Sequence, residues 1–232
     1  MDKIPKNIFQ THKSKDYILR KSKILNAVLT WKQFEPEYKY YFYDDKACEK
    51  FMSEKMEPSV YQAYQRLPLP VMKADLFRYC VIYHYGGIYA DSDTICLLKP
   101  HLFINDSLLT IVPENNTHLC NWVFSAPKGS PILKKVIDLS VERILSVKEI
   151  KGEHIIHELT GPGVFTDGIE AYLKEENMPT FKNRENYHKY PHDVLRVFHA
   201  KNFHEKMVIH LFAGQDEDGW CKERNKKLGS SL

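Results

Sequence analysis

Hydrophobic and polar positions follow two different periods along this chain. Residues 71–85 place apolar side chains at helical spacing, and Pro70 before them and Gly86 after them suit the first turn and the end of a helix. Short aromatic and β-branched runs alternate with such segments and predict strands. Because helices and strands interleave, we predict an α/β fold and one domain over residues 1–232. The other predicted helices are 16–31, 45–55 and 130–145, and segment 160–176 is predicted as a glycine-proline loop that opens into a helix. The predicted strands are 4–10, 38–45, 87–93, 107–114, 121–129, 194–200 and 207–214.

Composition narrows the classes of partner. The 232 residues are 43% hydrophobic with a net charge of only +3, so we expect a packed core and no nucleic-acid partner. No apolar run approaches the ~20 residues of a membrane span, and the first ten residues lack the apolar core of a signal peptide. The basic segment 221–227 is expected to be a solvated terminus with at most peripheral membrane contact. Five scattered cysteines favour reduced, buried thiols, and we therefore expect a cytoplasmic protein.

Two carboxylates, Asp91 and Asp93, follow a glycine pair and a short predicted strand. Residues i and i+2 of a strand point to the same side, so these carboxylates can converge on one cation where the strand ends. Carboxylate oxygens suit Mg²⁺ or Mn²⁺, which in turn hold phosphate oxygens. The glycines would let a ligand approach the backbone closely. One interpretation is therefore a transferase whose metal bridges the diphosphate of a nucleotide sugar.

The same letters allow a phosphohydrolase of the haloacid dehalogenase type. In that D-x-D-x-T motif, Asp91 would be the nucleophile, Asp93 the acid/base and Thr94 the trailing threonine. The motif normally opens its domain, whereas residues 1–90 precede it here. The acidic segment 216–218 could supply the second acidic pair, but a suitable lysine upstream of it is missing. We rank this interpretation second.

The helix before the glycine pair carries Asp75 and Arg78, which are three residues apart and so share one helix face. As a local surface ion pair they would contribute little stability. Since the helix runs into the turn that delivers Asp91 and Asp93, however, we expect the pair beside the same pocket. A carboxylate accepts and a guanidinium donates hydrogen bonds, which suits the vicinal hydroxyls of a sugar. This favours the transferase.

The segment KADLFRYCVIYHYGGIYADSDTICLLKP resembles the sugar-binding segment of the glycosyltransferases of family 32, related to initiating mannosyltransferases and distantly to clostridial glucosylating toxins. Three other segments, IPKNIFQTH, WKQFEPEYKYYFYDD and VIHLFAGQDEDGW, resemble the opening, second and closing blocks of that family. The likeness is good over residues 4–100, moderate over 205–221 and thin between them, apart from TGPGVFT. One departure is His12, where many members of the family carry a base-stacking tryptophan.

The resemblance implies a GT-A fold, an open α/β/α sandwich with a mixed, mostly parallel sheet. It implies Mn²⁺ or Mg²⁺ as cofactor and a UDP- or GDP-linked sugar as donor, bound by residues 1–100, with the acceptor side in residues 101–232. Asp93 and His210 would ligate the metal, with Asp91 approaching it, although the residues alone favour a buried, hydrogen-bonded core histidine at His210. The catalytic set would be Asp75, Arg78, Asp91 and Asp93. The donor-binding set would be Ile8, Phe9, Gln10, His12, Asp75, Arg78, Gly87, Tyr89, Ala90 and Asp91.

The expected reaction is transfer of a hexosyl group, with retention of configuration, to a saccharide or glycolipid hydroxyl. The loop 161–163 would lie on the acceptor side, and no catalytic base is assigned. A protein acceptor and a non-catalytic nucleotide-sugar binder are the other classes that share these motifs.

Overall fold

The computed structural model of the chain describes residues 3–97, 99–112, 118–152, 154–180, 193–197, 208–216 and 219–228. The strands are β1 (Asn7–Thr11), β2 (Lys39–Tyr43), β3 (Gly87–Ala90), β4 (Thr94–Cys96), β5 (Leu109–Ile111), β6 (Val123–Ala126), β7 (Leu195–Val197) and β8 (Val208–His210). The helices are α1 (Lys15–Arg20), α2 (Ser22–Lys32), α3 (Asp45–Lys55), α4 (Pro58–Arg66), α5 (Pro70–Tyr85), α6 (Pro131–Ser146), α7 (Ile155–Leu159), α8 (Pro162–Glu175) and α9 (Trp220–Leu228). Single 3₁₀ turns lie at Pro100–Phe103 and Ala213–Gln215.

A six-stranded sheet in the order β2-β1-β3-β6-β5-β7 forms the centre of the fold. The pairs β1–β2, β1–β3 and β5–β7 are parallel, whereas β3–β6 and β5–β6 are antiparallel. Strands β4 and β8 form a separate antiparallel pair. The predicted mixed, mostly parallel α/β sheet is confirmed.

Alternating side chains of the strands enter two different cores. In β1, Phe9 joins the larger cluster beneath helices α3 to α8, whereas Ile8 joins a second cluster with Trp31 of α2. Tyr89 and Ile88 of β3 divide in the same way. This period of two places helices on both faces of the sheet, as an α/β/α sandwich requires.

The predicted helix 16–31 is wrong in one respect, because two helices occupy it. Lys21 has φ −114° and ψ 88°, which interrupts the helical backbone between α1 and α2. Ser14 caps α1 by accepting a hydrogen bond from the Tyr17 N–H at 3.1 Å. The break lets Ile18 of α1 pack with Ile24 and Val28 of α2 in one cluster.

Helices α4 and α7 and strand β4 were not predicted, since each is short. Strand 87–93 was predicted too long: β3 ends at Ala90, and the next strand starts at Thr94. The segment predicted as a solvated terminus forms most of α9, whose Leu228 packs against the larger core. Residues 113–114, 198–200 and 207 of three predicted strands lie outside the described residues.

Helix α5 is buried on most of its faces, and the predicted single apolar stripe is therefore too narrow. Its buried residues include Asp75 and Arg78, which are 4% and 5% exposed. The alternative of a surface ion pair at this position is therefore excluded, since both side chains are buried. Among the described residues, no helix is both long and apolar enough to cross a membrane.

Candidate active site

Asp91 is held at the end of β3 by its own backbone. Its N–H donates to the Trp122 carbonyl at 2.8 Å, which continues the β3–β6 pairing by one residue. Its carbonyl accepts from the Thr94 hydroxyl at 2.6 Å and from Gln10 Nε2 at 3.1 Å. The carboxylate therefore leaves the sheet edge in a fixed direction, because both peptide groups of Asp91 are already bonded.

The β4–β8 pair brings His210 to the two carboxylates. Thr94 lies directly opposite His210 in this antiparallel register. His210 Nε2 is 3.6 Å from Asp93 Oδ1 and 3.8 Å from Asp91 Oδ2. The Ala213 N–H donates to Asp93 Oδ2 at 2.9 Å and fixes that side chain from the same segment. The structure thus gathers the three predicted metal ligands at one point.

The chemistry of this donor set fits a divalent cation. One ligand atom from each of Asp91, Asp93 and His210 can be chosen so that all three lie within 4.8 Å of one another. Two carboxylates and an imidazole suit Mn²⁺ or Mg²⁺, and three protein ligands leave coordination positions for phosphate oxygens. Across the described ranges, no other group of His, Cys, Asp and Glu side chains meets the same criterion.

The hydrogen bonds of His210 define its proton positions. Its Nδ1 accepts from the Phe212 N–H at 2.9 Å, so the ring proton resides on Nε2, facing the carboxylates. Coordination through Nε2 would require that proton to leave that nitrogen. Nδ1 would then carry the proton of the neutral ring and could no longer accept from Phe212. Metal binding and the Phe212 contact are therefore alternatives.

Electrostatics separates the two aspartates. Burial acts to raise the pKa of Asp91, but the Arg78 guanidinium and His210 outweigh it and hold that pKa below its usual value. For Asp93, burial dominates over the attraction of His210 and the pKa is raised. Burial acts to lower the pKa of His210, but the two carboxylates outweigh it and raise that pKa. Asp91 is thus the more firmly ionised of the two aspartates.

Arg78 connects Asp91, one of the three candidate metal ligands, to Asp75. Its Nη2 lies 3.0 Å from Asp75 Oδ1 and 3.1 Å from Asp91 Oδ1. Its guanidinium stacks 4.9 Å over the Tyr89 ring, and the Tyr89 hydroxyl donates to Asp91 Oδ1 at 2.8 Å. Its Nε is buried without a hydrogen-bond partner in the described part of the chain. A buried, unsatisfied donor is costly.

Three residues that were not predicted complete this network. Asn121 Nδ2 donates to Asp75 Oδ1 at 3.3 Å and to the Tyr79 hydroxyl at 2.8 Å. The Thr160 hydroxyl donates to Asp75 Oδ2 at 3.1 Å, and the Tyr79 hydroxyl donates to the Thr160 carbonyl at 2.7 Å. Tyr79 lies within the apolar period of residues 71–85, which gives no sign of a polar contact. The signal in the sequence was the Thr-Gly-Pro-Gly segment, which was recognised without a role for its threonine.

A cavity of about 680 Å³ opens on these residues. Asp75, Arg78, Tyr89, Asp91 and Asp93 line it, and this volume lies within the range of small-molecule sites. Its walls also include His12 and Tyr17, whose rings stack at 4.7 Å with an interplanar angle of 19°. Further wall residues are His154, His157 and Pro162, from the segment that forms α7 and the start of α8.

Several residues of the predicted donor-binding set do not line this cavity. The side chains of Ile8 and Phe9 are 0% and 1% exposed and fill the two cores. Gln10 is fully buried, and its Nε2 donates a hydrogen bond to the backbone carbonyl of Asp91. Its Oε1 accepts from the Tyr40 hydroxyl at 2.8 Å. Gly87 and Ala90 are buried in β3, at the centre of the sheet. These residues shape the site from behind its surface.

Gly86 and Gly87 are required by packing. A Cβ on Gly87 would lie 2.6 Å from the Asn7 carbonyl, and one on Gly86 would lie 2.6 Å from the Lys128 N. Both residues have positive φ, 70° and 129°. The close approach that these glycines permit is therefore that of β3 to its own neighbours, in place of the ligand contact that we expected.

Most residues of this site lie in a segment that matches a known protein family. Residues 21–115, which include Asp75, Arg78 and both DXD aspartates, match the family model described as the glycosyltransferase sugar-binding region containing the DXD motif. The fold and the site therefore define a protein that carries the sugar-binding region of DXD glycosyltransferases. The resemblance to family 32 is confirmed.

Individual relatives agree with this assignment. The initiation-specific alpha-1,6-mannosyltransferase of Candida albicans is 28% identical, over 79% of this chain and 57% of that protein. Its namesake from Schizosaccharomyces pombe is 32% identical, over 76% of this chain and 50% of that protein. This chain spans about half the length of these curated relatives. Among solved structures, the PaToxG glycosyltransferase superposes with a TM-score of 0.55 at 20% identity, covering 75% of this chain and 70% of that one, which supports the fold.

Proposed function

We propose that the chain is a retaining, divalent-metal-dependent glycosyltransferase of one GT-A domain. It transfers a hexosyl group from a UDP- or GDP-linked sugar to a hydroxyl of a saccharide or glycolipid. The names of the two mannosyltransferase relatives make mannose the first sugar to test. The observation that carries the proposal is one cavity lined by both the Asp91, Asp93 and His210 cluster and the buried Asp75–Arg78 pair.

The two groups of residues have separate tasks. A divalent cation held by Asp91, Asp93 and His210 would stabilise the charge that develops on the departing diphosphate. Asp75 accepts hydrogen bonds from the donor sugar, and Arg78 donates to it, since both residues line the cavity. Arg78 also keeps Asp91 ionised. We assign no protein base, because retaining transfer can pass the acceptor proton to the leaving diphosphate.

The base of the nucleotide occupies the part of the cavity walled by His12 and Tyr17. Their stacked rings offer a flat surface, and Lys13 Nζ lies 5.2 Å from the Tyr17 ring centroid. A base can stack on such a surface, with a gain of about 1–3 kcal/mol. A guanine presents a larger face than a uracil, so we expect GDP to bind the more tightly of the two.

The phosphohydrolase alternative is weaker. Asp91 Oδ1 accepts from Tyr89 and is paired with Arg78, which leaves little freedom for a nucleophilic attack by that oxygen. The backbone groups of Asp91 are likewise bonded within the sheet. Transfer to a protein acceptor would use the same donor site, so only the identity of the glycosylated product separates that alternative from transfer to a saccharide or glycolipid.

The test is the thermal stability of the purified chain with GDP, UDP, GDP-mannose and UDP-glucose, each with and without Mn²⁺. We expect stabilisation that needs nucleotide and metal together and disappears in Asp93→Asn. The exposed Asp138→Asn is the matched control, since Asp138 pairs with Lys134 on the surface of α6. Stabilisation by Mg²⁺ with beryllium fluoride, and none by any nucleotide, would reject the transferase in favour of the phosphohydrolase. Transfer activity of Asp93→Asn within a few-fold of the wild type would reject the metal site.

A further inference from the structure

We propose that His157 binds and orients a hydroxyl group of the acceptor, and that the α7–α8 junction forms the subsite for a polyhydroxylated acceptor ring. This inference rests on the proposed function and assigns its acceptor side. His154, Ile156, His157 and Pro162 line the cavity that also contains Asp75 and Arg78. The wall has two imidazoles and two apolar side chains, a combination that can contact both the hydroxyls and the apolar face of a sugar or inositol ring.

The junction is attached directly to the donor-sugar residues. Thr160, the residue that ends α7, donates to Asp75 Oδ2 at 3.1 Å and accepts from the Tyr79 hydroxyl through its carbonyl at 2.7 Å. Both α7 and the start of α8 are thereby fixed relative to Asp75. His157 lies one helical turn before Thr160, so its position follows the same anchor. An acceptor placed by His157 would therefore keep a constant position relative to the donor sugar.

The ring of His157 is fixed in place by its neighbours. It meets His118 edge to face, with ring centroids 4.3 Å apart. A Cβ on Gly163 would lie 2.7 Å from the His157 carbonyl oxygen and 3.0 Å from Nδ1, so only glycine allows α8 to start this close. Within the described part of the chain, neither ring nitrogen of His157 has a hydrogen-bond partner. Burial, followed by the charges of His118 and His154, lowers the pKa of His157, so the neutral ring can accept a hydrogen bond from a hydroxyl.

The experiment compares His157→Phe, which keeps a ring against His118 but removes both nitrogens, with His157→Gln, which keeps a polar group. The full chain is incubated with Mn²⁺ and GDP-mannose or UDP-glucose, and with methyl α-mannoside, methyl α-glucoside or myo-inositol as the acceptor probe. Released nucleotide and glycosylated product are both quantified, which separates transfer to the probe from transfer to water. His101→Phe is the matched control, because His101 is exposed on the Pro100–Phe103 turn and does not line the cavity.

We expect the ratio of transfer to hydrolysis to fall about tenfold or more in His157→Phe, with a raised KM for the acceptor, and to fall less in His157→Gln. An unchanged ratio and acceptor KM in His157→Phe would overturn the inference. Equal loss of hydrolysis and transfer in both variants would also overturn it, because that pattern indicates a purely structural role. Hydrolysis by the wild type without transfer to any of the three probes would reject a polyhydroxylated acceptor ring. If the wild type neither hydrolyses nor transfers, the proposed function itself fails and this inference fails with it.

A second measurement covers the case in which His157→Phe does not fold. The imidazole resonances of the wild-type protein are followed by NMR with Mg²⁺ and GDP, while methyl α-mannoside or myo-inositol is added. A saturable change in the His157 signal, with the His101 signal constant, is the expected result. No change in the His157 signal at saturating concentrations of both probes would contradict the proposal.

Discussion

Thr94 on β4 lies directly opposite His210 on β8, and this pairing completes the candidate metal site. Trp31 supports it from α2, since its Nε1 donates to the Thr94 carbonyl at 3.0 Å. The Leu211 N–H donates to the Asp93 carbonyl at 2.9 Å and extends the contact by one residue. The backbone position of His210 beside the two aspartates is therefore set by sheet register.

Removing the His210 imidazole tests this arrangement. We expect His210→Ala to weaken Mn²⁺ binding by more than the ~10- to 100-fold that loss of an outer partner of a metal ligand costs, since His210 would be a direct ligand. The protein should remain folded, because Asp91 and Asp93 keep their own backbone supports. Calorimetric titration of Mn²⁺ in the presence of GDP measures the effect, with His101→Ala as control. Unaltered Mn²⁺ affinity would show that His210 is only a hydrogen-bonded wall residue.

Arg78 should be the residue of the site on which folding depends most. Arg78→Ala leaves the carboxylates of Asp75 and Asp91 without their shared cation, and breaking a buried ion pair in this way costs about 3–5 kcal/mol. Urea unfolding measures the loss. Lys50→Ala, which removes a surface pair with Glu54, should cost about 1 kcal/mol or less.

A double variant separates charge from packing at Arg78. Arg78→Ala with Asp75→Asn should recover part of the lost stability, because one of the two buried charges is gone. In a variant that still folds, use of the donor sugar should suffer more than nucleotide binding. Equal loss of sugar use and nucleotide binding would contradict the role assigned to Arg78.

The buried Asp75 carboxyl predicts a pH dependence of stability. Burial raises its pKa from 3.8 to about 7, with Arg78 opposing the shift. Between these two values the folded protein retains a proton that the unfolded chain has released. The contribution of Asp75 to the free energy of unfolding should therefore decrease as the pH rises from about 4 to about 7, and stay constant above that. The measurement is the difference in urea unfolding between the wild type and Asp75→Asn across this range.

The control for the pH prediction is Asp138→Asn, whose difference from the wild type should lack this decrease. If the difference between the wild type and Asp75→Asn stays constant from pH 4 to pH 8, Asp75 is ionised throughout and Arg78 outweighs burial.

Gly87 should tolerate no side chain. In Gly87→Ala the new Cβ would lie 2.6 Å from the Asn7 carbonyl, at a residue with φ 129°, so β1 and β3 would have to separate. We expect a loss well above the ~1–2 kcal/mol that left-handed backbone alone costs. Gly129→Ala isolates that backbone cost, because φ is 72° there and nothing lies within 4 Å of the Cβ. Thermal unfolding that is equal for the two variants would refute the steric explanation.

The local pattern of residues was sufficient to predict the order of most helices and strands. It also predicted which functional side chains of one segment point the same way. The spacing of Asp91 and Asp93, the shared helix face of Asp75 and Arg78, and the termination of α5 at Gly86 depend on neighbours within a few residues. Helix and strand geometry relates residues a few positions apart, so features of this kind can be predicted from the sequence. The likeness to family 32 extended it to His210 by motif, without a physical reason for the contact.

Tertiary structure decided what the side chains of this site face. Ile8 and Phe9 lie in adjacent positions of β1, and only the packing of helices on both faces of the sheet puts both into cores and neither into the cavity. Asn121 and Thr160 reach Asp75 from segments that are distant in the sequence, and such contacts leave no local period. The sequence by itself determined which chemical groups are available. Long-range strand register and burial determined which of them meet, because those depend on residues far apart in the chain.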